Sequence, residues 1–184
     1  MKNTIIFLSG WMVPQFISKS KLVWDHEMWS DYKCIYISSK TPTSNTMVGR
    51  ELQRLQNIVE SFPNATVVGH SLGGWWAANL ALQSNVDIPK LVLWTPLNDI
   101  DLYPVFNVTN KYIPTKRKLT TNNIYSHRVL TFIAKEDLIV PPAVHGKALA
   151  QHFRSMEYIL DGGHFYQKNH KVALSYMKDW IEVK

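Results

Sequence analysis

The sequence predicts one α/β domain over residues 1–184, a mostly parallel sheet of about six strands with helices on both faces. Short β-branched and aromatic runs alternate with longer segments whose apolar residues recur at helical spacing. The short runs are almost continuously apolar, as strands are when helices cover both sides of a sheet. The alternation implies right-handed crossovers, so consecutive strands run the same way. A hydrophobic fraction of 46% suits one packed core at this length.

The first strand is expected at residues 4–9, where Ile5-Ile6-Phe7-Leu8 stops at Ser9-Gly10. That run is shorter than the apolar core of a secretion signal and reads better as a buried strand. Residues 33–38 form the second strand and carry the single cysteine, Cys34, as buried filler. One thiol excludes an intrachain disulfide and is too few for a cysteine zinc site. A helix follows at 48–62, with Leu52, Leu55, Ile58 and Val59 on one face and Arg50, Arg54 and Glu60 toward solvent. The strand at 65–69 leads into a helix at 72–83 that is apolar on more than one face. After the strand at 90–94, residues 95–126 are rich in Pro, Asn, Thr and Lys and show no period. A loop of that length is uncommon in a compact domain unless it carries function or disorder. A strand at 128–134 leads to a helix at 141–153, whose prolines suit a first turn. A strand at 155–160 then precedes the last helix, 171–181, with Val172, Leu174, Tyr176, Met177 and Trp180.

The net charge is +6, which favours anionic partners such as an acidic carrier protein or a charged substrate. No zinc-finger spacing, ribonucleoprotein motif or long basic helix is present, so nucleic acid is not expected. The densest basic cluster, residues 111–118, reads as a solvated loop. No stretch approaches the roughly 18–20 apolar residues of a membrane span, and a cytoplasmic location is expected.

Between the third strand and the following helix stands Gly69-His70-Ser71-Leu72-Gly73, then Gly74. A sharp strand-to-helix turn exposes a serine hydroxyl above the sheet, and glycines on either side let strand and helix approach closely. The helix start also directs its N–H groups at developing negative charge. In this setting the motif resembles the nucleophile elbow of the α/β-hydrolase family, common in its lipases, esterases and thioesterases. The resemblance makes Ser71 the nucleophile. Among seven histidines, His164 stands in Gly162-Gly163-His164-Phe165, after the last strand, and is similar to the family's Gly-His-Phe base loop. Asp137, in Asp137-Leu138-Ile139-Val140-Pro141 after the preceding strand, resembles its acid loop. The order Ser71, Asp137, His164 is the family's order. Glu136 is an adjacent rival, and Asp99 and Asp101 occupy the strand end where some members carry the acid.

Acyl transfer also needs donors aimed at the tetrahedral oxyanion. The resemblance gives that role to the backbone N–H of Leu72 and, from Ser9-Gly10-Trp11 (similar to the family's His-Gly-Trp), to Trp11, with Met12 as the alternative. Fewer N-terminal strands than in many members are expected, and residues 95–126 are the short lid candidate. Met12, His70, Leu97 and Phe165 are candidate pocket residues, and Trp75, Trp94, Tyr103 and Phe106 are further aromatic or apolar lining. His145 and the remaining histidines are expected on surfaces or loops, without metal-ligand spacing. Neither metal nor cofactor is expected. The implied activity is hydrolysis of carboxylic esters, or of thioesters by the same machinery, on a small acyl substrate. The alternative is a catalytically silent binding protein on this fold.

Overall fold

In a computed structural model, which describes residues 3–10, 27–83, 86–103, 126–165 and 168–183, six strands share one sheet. They are β1 (Thr4–Leu8), β2 (Lys33–Ile37), β3 (Thr66–His70), β4 (Lys90–Trp94), β5 (Val129–Ala134) and β6 (Met156–Leu160). The order is β2-β1-β3-β4-β5-β6, and every neighbouring pair is parallel. The helices are α1 (Asn45–Glu60), α2 (Leu72–Gln83), α3 (Gly146–Phe153) and α4 (His170–Glu182).

The strand side chains divide by the two-residue period of the pleat. Ile6, Leu8, Val67, Leu91, Leu93 and Val129 pack with α1, α2 and α3 residues on one face. Their sequence neighbours Ile5, Phe7, Val68, Val92 and Leu130, together with Phe132, pack with Trp29, Tyr32 and α4 on the other. Because both faces are covered, the strands need apolar residues at consecutive positions, which is the pattern the sequence carries. Helix α4 is tied to the sheet at its end, where the Lys90 ammonium donates to the carbonyls of Trp180, Ile181 and Val183.

Two helix starts differ from the periodic expectation. Helix α1 begins at Asn45 rather than 48, because the Ser44 hydroxyl caps it by accepting from the Met47 N–H at 3.2 Å. Helix α3 begins at Gly146 rather than 141. Pro141 and Pro142 have no N–H to donate, and the Pro141 carbonyl instead takes the N–H groups of Val144 and His145 in a turn. Of the segment 95–126, residues 104–125, with Phe106 and the basic cluster, lie outside the described residues. Among the described residues no helix is long and apolar enough to cross a membrane.

The strand order reverses between β1 and β3, and the carboxyl ends of a parallel sheet at such a switch form a crevice. The crossing there is tight. A Cβ on Gly73 would stand 2.5 Å from the Leu8 carbonyl carbon, and one on Gly69 would stand 2.7 Å from the Gly73 carbonyl carbon. Both obstacles are backbone and cannot swing aside. Gly73→Ala is therefore expected to destabilise the fold by about 3 kcal/mol or more. Calorimetry should then show Tm lowered by at least about 6 °C for a chain of this size.

Candidate active site

Each of the three residues suggested for acyl transfer follows a strand at the carboxyl end of the sheet: Ser71 after β3, Asp137 after β5 and His164 after β6. Ser71 has φ 54°, a left-handed conformation that a residue with a side chain adopts only when its surroundings impose it. Its neighbours do so. The Ser71 N–H donates to the Trp94 carbonyl at 3.1 Å, and the Ser71 carbonyl accepts from Gly74, Trp75 and Leu97. The turn is thus held by β4, by the first turn of α2 and by the segment after β4. Gly10, at the end of β1, lies beside it, so close that a Cβ there would meet the Ser71 Cβ at 3.1 Å.

The acid and the imidazole are joined directly. His164 Nδ1 lies 2.6 Å from Asp137 Oδ2, with both residues buried. Asp137 Oδ1 accepts the N–H groups of Ile139 at 3.0 Å and Val140 at 2.7 Å, which fixes the carboxylate plane. Both oxygens of a buried carboxylate are therefore engaged, as burial of such a charge requires. Glu136, the adjacent rival, is exposed. The two loops are stitched together by Lys135 N–H to the Leu160 carbonyl and Glu136 N–H to the Gly162 carbonyl. A Lys135–Asp161 ion pair at 2.7 Å spans the same gap on the outside.

The His70 ring centroid lies 5.1 Å from that of His164, and Phe165 stands edge-on to both rings at 5.9 and 4.6 Å. Burial, followed by the neighbouring His164 ring, holds His70 well below the usual histidine value, so it packs as a neutral ring. Phe165 is partly exposed, whereas Leu97 is buried in the core cluster beneath the turn it hydrogen-bonds. Trp75 and Trp94, expected as lining, belong instead to the core on opposite faces of the sheet. Their indoles are fully buried, Trp94 stacking on Phe132 at 4.3 Å. Trp11 and Met12 lie outside the described residues. Leu72 opens α2 directly after Ser71, where a helix's first N–H groups have no intrahelical acceptor.

His145 departs from expectation in its burial: it stands in the turn before α3, as a loop residue would, but is fully buried. Its Nδ1 accepts the backbone N–H groups of Asn98 and Asp99 at 3.1 and 3.2 Å. Those partners lie 47 and 46 positions away, so no local pattern points to them. Among the described residues no group of three or more His, Cys, Asp or Glu is arranged to hold a metal ion.

No family model matches the sequence, and no curated protein matches it. Solved structures do. The ydeN gene product of B. subtilis superposes with TM-score 0.67 at 14% identity, covering 98% of this chain and 100% of that one. A lipase-esterase related protein from Clostridium acetobutylicum gives TM-score 0.67 at 18% identity over 97% and 94% of the two chains. An α/β-hydrolase enzyme from the metagenome of lagoon sediments at Mar Chica, Morocco, gives 0.68 at 18% identity over 99% and 91%. The chain has the α/β-hydrolase fold.

Proposed function

We propose that the protein is a serine hydrolase that cleaves carboxylic esters, with Ser71 as nucleophile, His164 as general base and Asp137 orienting the base. The observation that carries this is the buried 2.6 Å pairing of Asp137 with His164 Nδ1 at the sheet end that also holds the strained Ser71 turn. A carboxylate on Nδ1 keeps the imidazole proton there, leaving the Nε2 lone pair to take the serine proton. Ser71 Oγ then bonds to the acyl carbon, and the carbonyl electrons move onto oxygen. The Leu72 N–H and a second donor after Gly10, Trp11 or Met12, stabilise that oxyanion. Collapse of the tetrahedral species expels the alkoxide, which takes the proton from His164 Nε2 and leaves an acyl-serine. Water, deprotonated by the same nitrogen, releases the acid. Thioesters fit the same steps with a thiolate leaving group. The described relative called lipase-esterase related supports the ester reading.

The test is reaction with a fluorophosphonate probe, followed by peptide mapping and a panel of p-nitrophenyl esters and acyl-thioesters. The expected result is one adduct, on Ser71, and ester turnover above that of thioesters. Intact protein that takes no probe and turns over neither class is the silent binding protein, and the proposal falls.

A further inference from the structure

We propose that His145 is a positioning residue for the Asp137–His164 pair, clamping the acid loop to the segment after β4 only while its ring is neutral with the proton on Nε2. The kinetic part of this proposal rests on the hydrolase reading; the clamp itself does not.

Hydrogen-bond chemistry fixes the direction of every link. Backbone N–H groups only donate, so His145 Nδ1, facing those of Asn98 and Asp99, must carry a lone pair. The ring proton is then on Nε2, which stands 3.3 Å from the Tyr103 hydroxyl oxygen. A carbonyl only accepts, so Tyr103 gives its own proton to the Ile139 carbonyl at 2.6 Å and receives from His145. Ile139 in turn donates its N–H to Asp137 Oδ1. An unbroken relay of partners therefore runs from Asn98 and Asp99 through His145, Tyr103 and Ile139 to the carboxylate paired with His164. The Asn98 side chain adds a parallel tie, donating to the Val144 carbonyl at 3.2 Å. The backbone of His145, at φ −112° and ψ −80°, is non-helical at the cap of α3, and the residue is fully buried.

Protonation breaks this arrangement. A second ring proton would sit on Nδ1, opposed to two N–H groups, and would leave both buried donors without an acceptor. The charged and titratable groups facing the ring are Asp99 and Asp137, which favour the cation, and His164, which opposes it, with the Tyr103 hydroxyl on Nε2. Burial outweighs the carboxylates and keeps the His145 value below the ordinary 6.5. The unfolded chain thus binds the proton first. The clamp's contribution is complete above the unfolded value of 6.5 and is lost as pH falls through the lower folded value.

Hydrogen exchange on the intact protein tests the clamp, read at the amides of Asn98, Asp99, Ile139 and Val140 and corrected for intrinsic rates. Wild type is expected to lose protection at Asn98 and Asp99 as pH falls below the ordinary histidine range. In His145→Asn, whose amide oxygen replaces Nδ1 as acceptor without titrating, that acid-side loss should disappear while protection at neutral pH stays. Tyr103→Phe, which keeps the ring and removes only the hydroxyl, should speed exchange at Ile139 and Val140 about tenfold. The same variant should lower kcat for a p-nitrophenyl ester about tenfold with KM little changed. Unaltered exchange at Ile139 and Val140 in Tyr103→Phe, or an acid-side loss that persists in His145→Asn, overturns the clamp. A wild type that shows the exchange pattern but takes no fluorophosphonate retains the clamp and removes only the hydrolase reading.

Discussion

Replacing Ser71 with alanine is expected to lower ester turnover by at least about 10,000-fold and to abolish fluorophosphonate labelling, with the fold intact. The substitution removes one oxygen and nothing else. The left-handed backbone at φ 54° and the bonds to Trp94, Gly74, Trp75 and Leu97 are all backbone features that alanine keeps. What remains is catalysis by binding and oxyanion donors alone, which in serine hydrolases leaves a residual far below the intact enzyme but above water. Single-turnover kinetics with a p-nitrophenyl ester, alongside circular dichroism, separates the two. Labelling that survives in Ser71→Ala would assign the nucleophile to another side chain.

Replacing Asp137 with asparagine is expected to cost about 10,000-fold in kcat through the wrong histidine tautomer. The introduced carboxamide has one orientation that suits its surroundings. Its oxygen must face the N–H groups of Ile139 and Val140, which otherwise meet two donors in a buried site. The amide NH2 then faces His164 Nδ1, which must accept, so the ring proton moves to Nε2 and the nitrogen meant for Ser71 no longer takes a proton. Geometry persists while chemistry stops. A pH–rate profile checks this: activity should partly return at high pH, where hydroxide replaces the lost base. A loss no greater than about tenfold would mean that His164 is not oriented through Asp137.

The sheet was legible because its chemistry is local and repetitive. Strands covered on both faces need apolar residues at every position, and Ile5-Ile6-Phe7-Leu8 or Leu91-Val92-Leu93-Trp94 has no simpler reading. The turn at Ser71 was legible because glycine is required where Gly73 meets the Leu8 carbonyl. The start of α3 was not, since prolines favour a helix's first turn and a preceding turn alike, and hydrogen bonds of the Pro141 carbonyl decide between them. His145 was not legible either. Its partners are backbone amides on a distant segment, and a histidine satisfied by main chain leaves no trace in residue type or spacing. Trp75 and Trp94 were misplaced for a related reason: proximity in sequence to Ser71 or to a strand end does not fix which face an indole takes, and both entered the core.

The stitches from Lys135 and Glu136 to Leu160 and Gly162 make carboxylate and imidazole passengers on one rigid body, while the hydroxyl is moored on the far side of β4. The Ser71 carbonyl takes the Leu97 N–H while the next two N–H groups bind His145, so the segment after β4 links the hydroxyl's mooring to that body. A change in the length of that segment would shift the hydroxyl and the imidazole relative to each other.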